Sequence, residues 1–402
     1  MEQLIYIVEV ICFFYLAFNI AYVLFFALMA CFYKNTDFPA IEIKIKNRFV
    51  VLVPAYKHDA VILQSIEQNL NQDYPKDKFD IIVIADSLLP ATVEQLKRKC
   101  SRVIEVQFEE SNKAKSINFA LNLLSEKDYD YCLLLDIDNL MEPAFISKMN
   151  ARLQNHEIII QGHRTAKNLN TPFAILDAIS EEINNHIFRK GHVVSGISAA
   201  LIGSGQVMAF NTYKQMMLTI SSAVEDKELE FALAKAGILI LYENNALVYD
   251  EKVQSAKVFT AQRKRWLASQ FFNFKAVFAS GLVGVFNKIH FNFIDKAIQR
   301  ILLPRILLLG FSFLFAILAC LLNIGNSFLY LFWFCCIGFL LSIPVSFYKI
   351  TTLYAVLRLP QAFLLMLLAT FKSKGGAQTF IPTVHLHDSE KNKLDELTYK
   401  ND

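Results

Sequence analysis

The longest apolar runs of the chain lie at its two ends, and between them short apolar runs alternate with amphipathic stretches. Residues 10–33, VICFFYLAFNIAYVLFFALMACFY, carry no charge, and a helix needs about 20 residues to cross a bilayer. A cleaved leader would open on basic residues and end in a short small-residue site; here Glu2 and Glu9 precede the run. The pattern predicts a retained transmembrane helix within residues 1–34. Lys34, Lys44, Lys46 and Arg48 follow it, so the positive-inside rule places the next segment in the cytosol. Residues 306–348 again hold no charge, and NIGNS (323–327) in their middle is a turn signal. This predicts a transmembrane hairpin over 301–348. Residues 351–371 are apolar but interrupted by Arg358 and Pro360, with only eleven residues left after the proline. A helix lying in or dipping into the membrane interface is expected over 349–374, with a fourth crossing as the alternative. Residues 276–300 read as interfacial or linker helices and 375–402 as a cytosolic tail.

The middle, residues 47–275, has the rhythm of an α/β domain. RFVVLVPAY (48–56), FDIIVIAD (79–86), SRVIEVQF (101–108) and YDYCLLLDID (129–138) are short apolar, β-branched runs. Helical spacing separates them in AVILQSIEQNLNQ (60–72), in PATVEQLKRK with Pro90 at a helix start, and in NKAKSINFALNLL (112–124). This order predicts a mostly parallel sheet covered on both faces. Ligands of such sheets bind at the carboxyl ends of the strands, which singles out Tyr56, Asp86, Asp136 and Asp138.

Composition narrows the class. The chain is 54% hydrophobic with a net charge of only +3, so no nucleic-acid partner is expected. Its seven cysteines make no CxxC and no Cys/His metal spacing, which implies a reducing compartment for the middle of the chain. A transporter would need polar residues inside its spans, and the hairpin has none that are charged.

The candidate chemistry lies at strand ends and helix starts. Asp136 and Asp138 leave an apolar strand two residues apart, so on an extended chain both carboxylates face one point. A hard divalent cation with further oxygen ligands would relieve their repulsion; acidic residues that simply end a strand are the ordinary alternative. Asp86 ends the second strand, where it can bond a base or ribose or serve a turn. Lys113 opens a helix, where ammonium and helix N-terminus both favour a diphosphate; a solvated helix lysine is the alternative. IGSGQVMAF (202–210) sets Gly203, Ser204 and Gly205 beside an apolar strand, as a close-approach loop or a bulge. Glu225 and Asp226 open a helix in VEDKELEFALAKAG (224–237), where acids also suit the dipole alone. TAQRKRW (260–266) places Gln262, Arg265 and Trp266 on one helical face, or forms a basic aromatic collar at the membrane.

In this order the residues resemble the membrane-integrated members of glycosyltransferase family 2, the cellulose, chitin, hyaluronan and poly-N-acetylglucosamine synthases and the glucosylceramide synthases. The matching positions are Val53-Pro54-Ala55-Tyr56, Asp86, Lys113, the D-x-D of Asp136 and Asp138, the loop Gly203–Gly205, the pair Glu225-Asp226, and Q-x-x-R-W at Gln262, Arg265 and Trp266. The resemblance implies a GT-A domain, Rossmann-like and nucleotide-sugar-binding, between membrane helices. It implies inverting transfer from a UDP-sugar, with Tyr56 and Asp86 on the uridine, Lys113 on the phosphates, and Mg²⁺ or Mn²⁺ on Asp136 and Asp138. Asp226 is then the general base, and Gln262, Arg265 and Trp266 close over diphosphate and acceptor. Gly203, Ser204, Gly205, Glu225 and Trp266 face the acceptor. The acceptor is a growing polysaccharide or glycan in an integral protein of the cell membrane, or a membrane lipid that receives a single sugar. A non-catalytic scaffold on the same fold is the other class to weigh; retention of Asp136, Asp138, Asp226 and Arg265 together argues against it. Three expected spans are too few for a channel from one chain, so polymer export would need a second copy or a separate partner. Two features depart from the pattern or extend it: Lys57-His58 stands where the family often has Asn-Glu, and FIPTVHLH (380–387) resembles a tail segment of bacterial relatives, with a His385/His387 metal pair as the other reading.

Overall fold

A computed structural model describes residues 2–35, 45–154, 159–222, 224–256, 258–260, 262 and 291–372. Its centre is an eight-stranded sheet in the order β3-β2-β1-β4-β7-β6-β8-β5. The parallel half is β1 (Phe49–Tyr56), β2 (Phe79–Asp86), β3 (Arg102–Val106) and β4 (Tyr131–Leu134). Helices α2 (Asp59–Asn69), α3 (Pro90–Lys99) and α4 (Lys113–Leu123) make the crossovers. Alternation within β1 shows why both faces need cover: Val50 and Leu52 enter one core with Ala114, Ile117 and Leu121 of α4, whereas Phe49, Val51 and Val53 enter the other with Ile62 and Ile66 of α2.

Beyond β4 the sheet is mixed. Strand β7 (Gln206–Ala209) runs antiparallel to both β4 and β6 (Ile159–Ala166), β6 is parallel to β8 (Leu241–Asp250), and the two-residue β5 (Leu140–Met141) caps the edge antiparallel to β8. The sequence pattern did not announce β6 or β8. Gln161, His163 and Arg164 on β6 and Glu243, Asn244 and Asn245 on β8 break the apolar run, and β8 shifts register opposite Gly162/His163.

One expectation about β4 needs correction. The strand ends at Leu134, not Asp138. Leu135 still donates to Leu52 O at 3.0 Å, but the chain then turns, and Asn139 N–H donates back to Asp136 O at 3.1 Å. The two aspartates therefore do not share a face through strand alternation; a turn sets them.

The remaining elements join this domain to the apolar helices. Helix α5 (Phe145–Leu153) covers the sheet, and α6 (Pro172–Asn184), N-capped by the Thr171 hydroxyl, continues through a π-turn (Asn185–Gly191) into α7 (His192–Val194). Ile175, Ile179, Ile183 and Ile187 of this run pack with Leu16, Ile20, Val23 and Phe26 of α1 (Glu2–Ala30). The approach is close enough that a Cβ on Gly191 would lie 2.3 Å from Phe26 O. Helices α8 (Phe210–Met217) and α9 (Glu225–Lys235) follow β7.

At the C-terminal side, α10 (Phe291–Ile301) precedes α11 (Arg305–Leu322) and α12 (Ser327–Ser342), which are joined by a turn with Asn323 and Gly325 at positive φ. Helices α13 (Ile350–Val356) and α14 (Leu359–Lys372) meet at a 41° bend beside Arg358 and Pro360. Among the described residues two helices are long and apolar enough to cross a membrane, residues 6–30 of α1 and all of α11, and the bent pair makes a third if it is one broken span. The expected second arm of the hairpin is the 16-residue α12, which ends before Pro344; the residue before a proline is steered out of the helical region. The tail and the segment 263–290 lie outside the described residues.

Candidate active site

The strand ends meet as the parallel topology requires. Tyr56 and Asp86 are register partners at the ends of β1 and β2. Just beyond them Lys57 (φ 53°) and Ser87 (φ 58°) both turn through the left-handed region, a conformation that costs a non-glycine residue of order 1–3 kcal/mol and concentrates at ligand sites. Lys57 N–H donates to Asp86 O at 3.2 Å and its ammonium lies 4.9 Å from the Tyr56 ring centroid. The Asp86 carboxylate is buried; Oδ1 accepts from the Ser87 hydroxyl, and Oδ2 has no hydrogen-bond partner among the described residues. A buried acceptor without a donor costs about 1–3 kcal/mol, so Asp86 fits a ligand that supplies an N–H or O–H.

Lys113 is the junction of the site. Asn112 caps α4 by accepting from Lys115 N–H at 2.7 Å, which sets Lys113 in the first turn. Its ammonium donates to Asp136 Oδ1 at 2.6 Å and to Gly203 O at 2.7 Å, and pairs with Glu225 Oε1 at 3.0 Å. One side chain thus ties together the aspartate turn, the glycine loop and the acid pair. Burial alone would push the Lys113 pKa down; Asp136 and Glu225 outweigh it and hold it above the ordinary lysine value. Burial raises the Glu225 carboxyl, Lys113 offsets only part of that, and neighbouring Asp226 adds to it.

Glu225 and Asp226, both in the first turn of α9, have different duties. Glu225 is spent on Lys113. Asp226 accepts no hydrogen bond among the described residues and has Lys227 Nζ 3.8 Å from Oδ2. Lys227 is held by Leu201 O at 2.9 Å and Glu230 Oε1 at 3.2 Å. Asn112 and Asn118 donate to the carbonyls of Ser221 and Ile220, and Glu228 accepts from Ser222 N–H, which fixes the approach to this helix.

The glycine loop is built for close approach. Gly203 (φ 78°) faces Asp226, Lys113 and Glu225, and a Cβ there would meet all three at 3.4–3.5 Å. Buried Gln161 clamps the loop, donating to Ser204 O at 2.9 Å and accepting from Ile202 N–H at 3.1 Å. Gly205 combines φ 63° with only 2.8 Å from its Cβ position to Val248 Cγ2. Gly205→Ala is therefore expected to cost about 1–3 kcal/mol, read as a lower thermal midpoint of the solubilised chain; a wild-type midpoint would show that the loop relaxes freely. Ser204 is fully buried, accepts from Asp136 N–H at 3.0 Å and donates to Asn139 Oδ1 at 2.6 Å.

Sequence reasoning missed Asn139, Gln161, Lys227 and the buried ion cluster of Arg164, Glu181, Arg189, Asp250 and Lys252. The available signal was polar residues inside apolar elements, such as QGHR (161–164) and EE (181–182). Of Q-x-x-R-W, Gln262 is described and half-buried, while Arg265 and Trp266, like His385 and His387, lie outside the described residues.

Among the described residues no three His, Cys, Asp or Glu side chains are grouped to hold a metal. Asp136 and Asp138 are hard oxygen donors suited to Mg²⁺ or Mn²⁺, which retain water or phosphate oxygens as further ligands. The donor set fits an ion shared with a diphosphate.

A mixed sheet with acids converging at the ends of its parallel strands is a GT-A-like α/β fold. Residues 47–269 match the profile described as glycosyltransferase like family 2, more than half of the chain, and the chain belongs to this family. The probable glycosyltransferase YdaM of Bacillus subtilis (strain 168) is 26% identical over 227 residues, covering 54% of this chain and 53% of the relative, so the match spans about half the relative's length. The mannosyltransferase PcManGT from Pyrobaculum calidifontis, solved with GDP-Man and Mn²⁺, superposes with a TM-score of 0.55 at 13% identity, over 89% of this chain and 97% of that one. S. aureus TarS 1–349 in complex with UDP aligns at a TM-score of 0.36 and 17% identity, over 54% of this chain and 63% of that one.

Proposed function

We propose that the chain is a membrane-bound, inverting glycosyltransferase that moves a sugar from a UDP-sugar to a growing polysaccharide or glycan. The observation that carries this reading is the Lys113 junction, which brings the aspartate turn, the glycine loop and the acid pair within 2.6–3.0 Å of one ammonium. Asp86, whose Oδ2 has no hydrogen-bond partner among the described residues, takes a nucleoside hydrogen bond beside Tyr56. Asp136 and Asp138 hold Mg²⁺ or Mn²⁺, which when bound neutralises the diphosphate and favours its departure. Lys113 adds charge on the same side. Asp226, free of hydrogen bonds among the described residues, takes the proton of the acceptor hydroxyl as that oxygen attacks the anomeric carbon from the face opposite the diphosphate. An α-linked donor then gives a β-linked product. Gln262, Arg265 and Trp266 close over diphosphate and acceptor sugar, Arg265 through its bidentate fork.

A lipid acceptor receiving one sugar is the second reading. It is favoured by the low number of helices of spanning length among the described residues, two, or three with the bent pair. Membranes incubated with labelled UDP-sugars and GDP-mannose separate the readings. Label in a polymer supports the first, label in a solvent-extractable glycolipid supports the second, and label from GDP-mannose alone reassigns the donor.

The proposed topology places the N-terminus outside and residues 48–292 and the tail after residue 371 in the cytosol. In a chain stripped of its seven native cysteines, one introduced in the tail is expected to resist an impermeant thiol reagent in intact cells. Ready labelling would mean that the bent helix pair crosses.

A further inference from the structure

Asn139 directly follows the aspartate turn, is wholly buried, and spends every polar group it has. Its peptide N–H closes the turn on Asp136 O at 3.1 Å. Its carbonyl accepts from Asn69 Nδ2 of α2 at 2.9 Å. Its side-chain Nδ2 donates to Asp138 Oδ1 at 3.1 Å and to Asp250 Oδ1 at 2.9 Å. Its Oδ1 accepts from the Ser204 hydroxyl at 2.6 Å, and that hydroxyl in turn accepts from Asp136 N–H at 3.0 Å. The neighbourhood is anchored on both sides. Asn69 Oδ1 accepts from Met141 N–H at 2.8 Å. Asp250 pairs with Lys252 at 2.7 Å, and Glu181 with Arg164 at 2.8 Å and Arg189 at 3.2 Å.

The chemistry requires an amide. Ser204 needs an acceptor, and two carboxylates need donors, within the reach of one short side chain. Asparagine supplies one acceptor oxygen and two N–H donors; aspartate supplies only acceptors when ionised, and an apolar residue supplies neither. A buried ion cluster gives little net stability, but it can hold Asp250, and so the amide plane, in one orientation.

We propose that Asn139, with Ser204, is the positioning residue of the metal pair: it orients the Asp138 carboxylate while Ser204 fixes the backbone of Asp136. The proposal rests on the metal-dependent donor binding put forward above. It assigns the middle residue of the glycine loop to the donor side of the site. Partners one step removed from a metal typically change its affinity 10–100-fold when lost.

The test follows free Mn²⁺ by electron paramagnetic resonance in the solubilised full chain, alone and with UDP or GDP, beside nucleotide affinity measured without metal. Asn139→Asp keeps the shape and the acceptor for Ser204 but removes both donors. It is expected to weaken Mn²⁺ binding in the nucleotide complex at least ~10-fold while metal-free nucleotide affinity stays near wild type. A purely structural role would lower both together. Ser204→Ala, which keeps the aspartates and leaves a methyl in the loop, is expected to weaken Mn²⁺ binding in the same sense but less. Wild-type Mn²⁺ affinity in Asn139→Asp overturns the proposal. Should Asn139→Asp not fold, wild-type Mn²⁺ affinity in Ser204→Ala overturns it instead. A wild-type chain that takes up no Mn²⁺ with either nucleotide contradicts the proposed function first, and this inference with it.

Discussion

Asp226→Asn is expected to slow sugar transfer by at least ~10²-fold, the lower end of what a positioned general base contributes. An acceptor hydroxyl is a poor nucleophile at neutral pH, so its proton must leave as it attacks. The side chain best placed to take it is a carboxylate that faces the site and is not already committed. Glu225 fails the second condition, because its Oε1 is held 3.0 Å from Lys113 Nζ. Asp226 meets it: it accepts no hydrogen bond among the described residues, and Lys227, 3.8 Å from its Oδ2, is itself held by Leu201 O and Glu230. The amide keeps the shape and removes the basicity, so nucleotide binding and membrane insertion are expected to stay near wild type. Glu225→Gln is expected to cost less in the chemical step and more in donor affinity, since it loosens Lys113. Near-wild-type transfer by a folded, donor-binding Asp226→Asn protein would place the base elsewhere and return VEDKEL to a helix start with dipole-favoured acids.

The second large effect is expected at the aspartate turn. Asp136→Ala and Asp138→Ala should each abolish the increment that Mn²⁺ or Mg²⁺ adds to nucleotide binding. Among the described residues no group of three or more His, Cys, Asp or Glu side chains offers another place for the ion. The Asp136 variant carries a second consequence. Lys113 loses its 2.6 Å partner and keeps Glu225 and Gly203 O, so metal-free nucleotide binding should be altered in this variant more than in Asp138→Ala. Isothermal titration with and without metal reads both effects. Undiminished metal stimulation in both variants would remove the metal from these residues.

Much of this site was legible because its residues sit where topology forces them. Tyr56 and Asp86 end neighbouring parallel strands, and strand ends can be read from where β-branched runs stop. Lys113 follows an asparagine that caps a helix, a local signal. What stayed hidden depends on contacts distant in sequence. Ser204 reads as a loop residue until β7 is seen antiparallel to β4, which lays the loop against the aspartate turn and gives its hydroxyl to Asn139. Gln161 reads as an interruption of a strand until its amide is found clamping residues 202–205. The expectation of strand through Asp138 failed for a related reason. YCLLL continues apolar to Leu135, and nothing local says that the chain turns at Asp136. The turn is made by Asn139 and held by Asn69 of a helix seventy residues earlier.

The central claim, that this chain transfers sugar from a metal-bound nucleotide donor using Asp226 as base, is tested most directly by one comparison. Membranes carrying the wild type and Asp226→Asn at equal abundance are given each of a panel of radiolabelled UDP-sugars and GDP-mannose, with Mn²⁺ or Mg²⁺ and with a chelator. Labelled glycan or glycolipid from a UDP-sugar is expected with the wild type, dependent on the metal and at least ~10²-fold lower with Asp226→Asn. Product that is equal in the two proteins, or undiminished by the chelator, would contradict it.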